Sequence, residues 1–297
     1  MAPLIRLVEV LLKTETFLRD RGIDTPRLDA ELILVDVLNI KRLQIYLEHD
    51  RPMAEDELAR VRPLVARRGK REPLAWIIGS AGFHAIDLAI QPGVLVPRPD
   101  TETLVEAALE WIDADADPIY VADVGCGSGA VGLSIATARP ASRIYATDVS
   151  PEAIATTKAN VAALGLTDRV AVLTGDLLSP IPPQRPVHWV LSNPPYIPSG
   201  DIDALMPEVS RHEPRLALDG GRDGLDFYRR LVPLAGNRAS HGLLVEVGIE
   251  QAGRVVDLFR RGGFVGVETW TDLGGIKRVV GGRKPRSDDY EAEAQPH

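Results

Sequence analysis

The stretch Ile119-Tyr120-Val121-Ala122-Asp123-Val124-Gly125-Cys126-Gly127-Ser128-Gly129 admits few folds. An apolar strand runs without a linker into glycines spaced GxGxG, and an apolar helical segment follows at about 129–139. Glycines at that spacing remove side chains where a backbone turns tightly and comes close to a ligand. Downstream, short apolar runs alternate with helical ones. Strands are predicted at 119–124, 143–149, 170–174, 187–192, 242–248 and 264–270, with a last one near 278–282. Helices fit at 129–139, 151–164, 225–235 and 249–261. Alternation of this kind gives an α/β fold with a doubly wound, mostly parallel, Rossmann-like sheet.

The region before it follows a different period. Leu4, Leu7, Val8, Leu11 and Leu12 recur at helical spacing between Arg6, Glu9 and Lys13. Thr25-Pro26 looks like an N-cap followed by proline at the first helical position, opening a helix through Leu38. A third helix covers about 54–68, and Pro63 is expected to kink or divide it. Between Phe83 and Val96 the alternation of Ile86, Leu88 and Ile90, a Pro92-Gly93 turn and Val94-Leu95-Val96 read as a hairpin. Pro97-Arg98-Pro99 then stiffens the chain, and Asp100 or Thr101 is placed to cap a helix through Trp111.

The glycine loop has acidic partners. Asp123 stands two positions before the first glycine. Negative charge there suits a ligand carrying a sulfonium and an α-amino group better than a pyrophosphate, which needs an exposed helix N-terminus. Asp148 ends the second strand, where a carboxylate can accept hydrogen bonds from both ribose hydroxyls. Asp176, after Gly175 at the end of the third strand, falls near an adenine ring, with Leu177 beside it. Cys126 stands where the loop wants a small residue and reads as structural.

The fourth strand ends in Asn193-Pro194-Pro195-Tyr196. Two prolines fix the backbone and remove two amide donors, so the carbonyls of the turn are free for a ligand. The Asn193 side-chain oxygen and the Pro194 carbonyl can together grip an NH₂ group, and Tyr196 offers an aromatic face to a planar one. Site and glycine loop both fall at carboxyl ends of strands, where open α/β sheets bind ligands.

Composition narrows the classes. The 297 residues carry a net charge of −8, and hydrophobic residues make up 45%. The balance lacks the basic excess of a protein that grips nucleic acid through phosphates, although Arg60, Arg62, Arg67, Arg68, Lys70 and Arg71 form a local basic stretch. No apolar run approaches the roughly 20 residues of a membrane span, and the charged N-terminus does not read as a signal peptide. With one cysteine there is no internal disulfide, in keeping with a cytoplasmic location. The six histidines show no metal-ligand spacing, and no nucleophile elbow or P-loop is present.

The loop VADVGCGSG, the strand-end Asp148 and NPPY resemble those of the amino-methyltransferases. Over nearly the whole chain, to about Arg283, the sequence is similar to the HemK/PrmC family, the release factor glutamine methyltransferases. Arg71-Glu72-Pro73-Leu74-Ala75, Pro97-Arg98-Pro99-Asp100-Thr101-Glu102, Ser192-Asn193-Pro194-Pro195-Tyr196-Ile197 and Glu213-Pro214-Arg215 carry that likeness. It implies S-adenosyl-L-methionine as cofactor, held by Asp123, Gly125, Cys126, Gly127, Ser128, Gly129, Asp148, Asp176, Leu177 and Asn193. It implies a catalytic turn of Asn193, Pro194 and Tyr196, with Pro195 and Arg98 also meeting the substrate. The implied reaction is methylation of the glutamine N5 in the GGQ motif of class 1 peptide chain release factors, without metal, membrane or specific nucleic-acid binding. The implied layout is a helical substrate-recognition domain at 1–80, a hairpin and linker at 81–103, a methyltransferase domain at 104–283 and a disordered acidic tail at 284–297. The segment from Ile197 to Gly224 is placed to cover the substrate entrance. NPPY is shared with adenine-N6 DNA methyltransferases, which would need a DNA-reading domain and a basic cleft; a non-enzymatic S-adenosylmethionine-binding module is the other alternative.

Overall fold

The computed structural model describes residues 5–112 and 118–285. Leu4 and the tail from residue 286 onward lie outside the described residues. Two compact units emerge, one bounded at residue 80 but including residues 206–212, the other comprising 81–205 and the chain from 213.

The first unit is helical: α1 (Leu7–Asp20), α2 (Pro26–Leu38), α3 (Arg42–Leu47), α4 (Glu55–Arg68) and α5 (Leu74–Ile78). Leu7, Leu11 and Leu18 form one stripe of α1 and pack with Ala30, Ile33 and Leu34 of α2 and Val61 of α4. Leu12, which the helical pattern counted with them, is 51% exposed. Pro26 does stand at the first helical position, but Thr25 does not cap the backbone. Its hydroxyl donates to Asp29 Oδ1 at 2.7 Å. Pro63 does not divide α4, which runs unbroken from Glu55 to Arg68. Proline removes one donor there, and the packing of Val61, Leu64 and Val65 offsets it.

In this unit Arg68 is only 6% exposed. It donates to Asp29 Oδ2 at 2.6 Å and to Glu208 Oε1 at 2.8 Å, and Arg71 reaches Glu208 Oε2 at 2.6 Å. Glu208 belongs to α9 (Pro207–His212), which therefore completes the helical unit although it is encoded far from it. Arg67 pairs with Glu72, Arg62 with Glu55, and Arg60 donates to the Val37 carbonyl. The basic stretch thus spends much of its charge inside the unit.

The second unit opens with β1 (Ser80–Phe83) and β2 (Ile86–Ala89), a two-stranded hairpin. Its turn is at His84 and Ala85, with His84 at φ 51°, not at Pro92-Gly93. Val94-Leu95-Val96 is no strand. At the end of β2 the Asn160 side chain takes both the Ala89 N–H (2.8 Å) and its carbonyl (3.0 Å). Then follow α6 (Glu102–Trp111), β3 (Ile119–Val124), α7 (Ala130–Ala138), β4 (Ser142–Asp148), α8 (Pro151–Ala163), β5 (Val170–Thr174) and β6 (Trp189–Ser192). After α9 come α10 (Asp226–Arg238), β7 (Gly242–Glu246), α11 (Ala252–Arg261), β8 (Val265–Thr271) and β9 (Lys277–Arg283).

The sheet order is β5-β4-β3-β6-β7-β9-β8. The first five strands are parallel, and β9 inserts antiparallel between β7 and β8. Strands covered on both faces read as continuous apolar runs, and β6 and β7 are buried at every residue. The chain moves outward from β3 to β5, then returns to the other side of β3 as β6, creating the switch point where ligands bind. No helix among the described residues is long and apolar enough to cross a membrane.

Arg68→Met would leave Asp29 and Glu208 as buried carboxylates without their shared guanidinium. We expect a loss of about 3–5 kcal/mol, the usual cost of breaking a buried pair, read as a lower urea midpoint by circular dichroism. An unchanged midpoint would show that these acids are hydrated.

Candidate functional site

At the carboxyl end of β3 the backbone turns through three left-handed glycines, Gly125, Gly127 and Gly129, at φ 72°, 57° and 85°. A Cβ at Gly129 would stand 2.8 Å from the Leu133 side chain. At Gly125 and Gly127 it would meet nothing within 4 Å, because both face a cleft of about 800 Å³. The loop is tied from behind. Thr147 O accepts from Gly125 and Cys126, the Thr157 hydroxyl donates to Gly127 O, and Asn160 Nδ2 donates to Ser128 O. Sequence reasoning missed Thr157 and Asn160. The one signal was a pair of polar residues on the inward face of α8.

Asp148 ends β4 as expected and lines the cleft. Its Oδ2 accepts from Gly127 N and its Oδ1 from Ser150 N, both at 2.9 Å. Each oxygen keeps a further lone pair for a ligand hydroxyl. Asp176, paired with Arg230, and Leu177 also line the cleft. Asp123 does not. It is buried beneath the loop, where Oδ2 accepts from Gly132 N at 2.9 Å. Burial pushes its carboxyl up to about 7, with the Asp148 charge adding to the effect. Cys126 is buried too, and burial first, then Asp123 and Asp148, raise its thiol, leaving it inert at neutral pH. Ser128 and Gly129 are not among the residues that line the cleft.

The strand beside β3 is β6, paired in parallel with Asp123 opposite Leu191. The Ser192 hydroxyl donates to Val124 O at 2.7 Å and locks the two strand ends together. Asn193 and Pro195 therefore line the same cleft as the glycines. Asn193 Nδ2 donates to Thr101 Oγ1 at 3.0 Å. The ring of Tyr196 packs against the core, and its hydroxyl turns inward to Glu246 Oε1 at 3.2 Å. Its own carbonyl accepts from Gln251. Pro194 is absent from the lining. Arg98 pairs with the buried Glu213, joining two of the motif segments, and burial holds the Glu213 carboxyl above its ordinary range despite that partner. Thr101 closes a short 3₁₀ turn and precedes α6, but its side chain makes no cap. The opposite wall is Pro92 to Leu95, the segment that the sequence pattern had assigned to a hairpin, together with Leu216 and Phe227.

A walled cleft with open glycines, a strand-end carboxylate and apolar sides fits an adenosyl group carrying a sulfonium. Among the described residues no group of three or more His, Cys, Asp or Glu is arranged to hold a metal ion.

Comparison with known proteins identifies the family. Residues 9–79 match the family model of the PrmC N-terminal domain, and residues 103–212 match that of the methyltransferase small domain. A release factor glutamine methyltransferase of Geobacter sulfurreducens is 44% identical over 277 residues, covering 93% of this chain and 95% of its own. One from Caulobacter vibrioides is 40% identical, covering 94% and 97%. Among solved structures, the 16S rRNA N2 G1207 methyltransferase of T. thermophilus, in complex with AdoMet and guanosine, aligns with TM-score 0.51 at 18% identity, covering 69% of this chain and 50% of that one. That likeness is one of fold.

Asp123 yields a pH-dependent expectation. Its folded-state value lies above the unfolded one of 3.8, so ionisation opposes folding. The cost is absent below about pH 4, grows as pH rises toward 7, and is constant above that. Asp123→Asn keeps the acceptor for Gly132 and removes the charge, so it should gain on wild type by up to about 4 kcal/mol across that window. Urea midpoints measured from pH 4.5 to 8 would show it. A difference that does not change with pH would mean the carboxyl is already ionised at low pH.

Proposed function

Since the chain belongs to the release factor glutamine methyltransferase family, its reaction is methyl transfer from S-adenosylmethionine to a release factor glutamine, and we propose that the cleft between the glycine loop and NPPY is where it occurs. The observation that carries this placement is that Gly125, Gly127, Asp148 and Asn193 line one cleft at the ends of neighbouring strands.

The cofactor supplies an electrophilic methyl on a sulfonium. Gly125 and Gly127 let the backbone approach it, Asp148 accepts from the ribose hydroxyls, and Asp176 and Leu177 border the adenine. Asp123 acts from beneath the loop through the backbone it holds and through its charge. The acceptor is an amide nitrogen, a weak nucleophile because its lone pair is delocalised into the carbonyl. The Asn193 Oδ1 and the Pro194 carbonyl accept from its two N–H groups, which localises the lone pair and aims it. The gain is one of positioning and preorganised dipoles. The N–C bond forms as the methyl leaves sulfur, and the extra proton departs from nitrogen afterwards.

The modified residue is the glutamine of the GGQ motif in class 1 release factors. A glutamine side chain is long enough to enter a narrow pocket, and flanking glycines let its backbone come close. The helical unit, which matches a family model separate from that of the sheet, serves recognition of the folded factor. A release factor works in the cytoplasm, and the enzyme is placed there with it.

Asp148→Ala is expected to weaken cofactor binding by about 1.5–3 kcal/mol in calorimetry, as for a lost hydrogen bond to a charged group. Asn193→Ala should leave that binding nearly intact while lowering turnover by roughly 10²-fold or more, like a lost preorganised dipole. Labelled cofactor would then be offered to intact release factor, to its Gln→Asn variant and to adenine-containing duplex DNA. Label on the wild-type factor alone supports the reading, and label on DNA with none on the factor would sink it.

A further inference from the structure

An asparagine amide is ambiguous. Its oxygen and nitrogen ends are nearly the same size, so a turn that must present an acceptor needs something to decide which end faces the substrate. Asn193 is at such a turn, and the groups behind it belong to elements that the motif does not include.

Nδ2 of Asn193 donates to Thr101 Oγ1 at 3.0 Å, and Thr101 is 3% exposed. The Thr101 hydroxyl is itself hydrogen-bonded to Glu246, at the end of β7 and 1% exposed. The Tyr196 hydroxyl donates to the same carboxyl, on Oε1 at 3.2 Å. Glu246 Oε2 is buried with no hydrogen-bond partner among the described residues. A hydroxyl has one proton to give. While Glu246 is ionised Thr101 gives that proton to the carboxylate, so it can only accept from Asn193, and the end of the amide turned toward it is the NH₂. Oδ1 is thereby left for the cleft.

We propose that Thr101 and Glu246 are positioning residues that set the orientation of the Asn193 amide, so that an acceptor rather than a donor meets the substrate NH₂. This rests on the reading of Asn193 as the group that holds the target amide. Apart from Tyr196, the charged and titratable groups facing Glu246 are Arg278 and Asp100, while Tyr228 donates to its backbone carbonyl at 2.8 Å. Burial pushes its carboxyl up to about 7, and the Thr101 and Tyr196 hydroxyls and Arg278 hold it down from going further. A carboxyl so deeply buried depends on the donors packed against it. Without Thr101's acceptor the amide can turn over, and a donor would then oppose the N–H groups of the substrate.

The test compares Thr101→Val, which keeps the shape and loses the hydroxyl, with Thr101→Ser, which keeps the hydroxyl. With intact release factor and labelled cofactor, Thr101→Val should lower kcat by about 10²-fold, the scale of a misplaced positioning group, at unchanged cofactor Kd. Thr101→Ser should recover most of the loss. Glu246→Gln, whose NH₂ can donate to Thr101 and release the hydroxyl proton toward Oδ1, should also lower kcat at unchanged cofactor Kd. Full kcat in Thr101→Val, or equal losses in the Val and Ser variants, overturns the proposal; full kcat in Glu246→Gln removes Glu246 from it. If wild type itself labels no release factor, the functional reading has failed, and a spectrum without turnover decides the orientation. With four asparagines in the chain, the Asn193 side-chain NH₂ can be assigned in ¹⁵N-asparagine protein by its loss in Asn193→Asp. Slow hydrogen exchange there in wild type and Thr101→Ser but not in Thr101→Val supports the proposal, and equal exchange in all three ends it.

Discussion

The parallel pairing of β3 with β6 is the contact on which the site depends. Val121 stands opposite Trp189 and Asp123 opposite Leu191, so the two strands end level with each other. The Ser192 hydroxyl on Val124 O then fixes how the chain leaves both strands. One loop is bent by glycines and the other by prolines, and neither bend would face the other if the register slipped. A slip of one residue reverses every side chain of a strand, and β6 is buried on both faces. The hydrophobic core therefore enforces the geometry of the polar cleft at its edge.

Around that edge the protein keeps carboxyls where water does not reach. Asp123, Glu213 and Glu246 are all buried, and burial raises each above its ordinary range. Holding such groups costs stability. In return each one organises backbone or side chains: Asp123 the start of α7, Glu213 the segment around Arg98 and Val96, Glu246 the hydroxyls of Thr101 and Tyr196. In their ionised form these carboxyls also suit a ligand that arrives with positive charge.

The strand–loop–helix run and NPPY were legible because each is local, with a composition that has one structural use. The spans of β6 and β7 followed for the same reason, since parallel strands buried on both faces are apolar. What escaped were features set by distant partners. Thr101 looked like a helix cap, and only the placement of Asn193, 92 residues on, reveals it as an acceptor. Glu246 is a charge at the end of the run Leu243-Leu244-Val245, an oddity visible in the sequence with no partner to explain it. A turn does form at Pro92-Gly93, but no strand follows it, and the Ala89 backbone before it is held by Asn160 of α8. The basic stretch from Arg60 to Arg71 invited a search for a partner, while acids inside the same unit already answer Arg67, Arg68 and Arg71.

The membership of α9 in the helical unit makes the chain's two units interlaced rather than serial. A gene cut at codon 80 would not release the helical unit whole, because the acid that Arg68 and Arg71 share is encoded after NPPY. An exchange of helical units between relatives faces the same difficulty: the donor's first 80 codons would arrive without the short helix they were selected with. Recombination between such genes would thus favour joints that carry both segments or neither, and lineages should inherit the helical unit and the loop behind NPPY together.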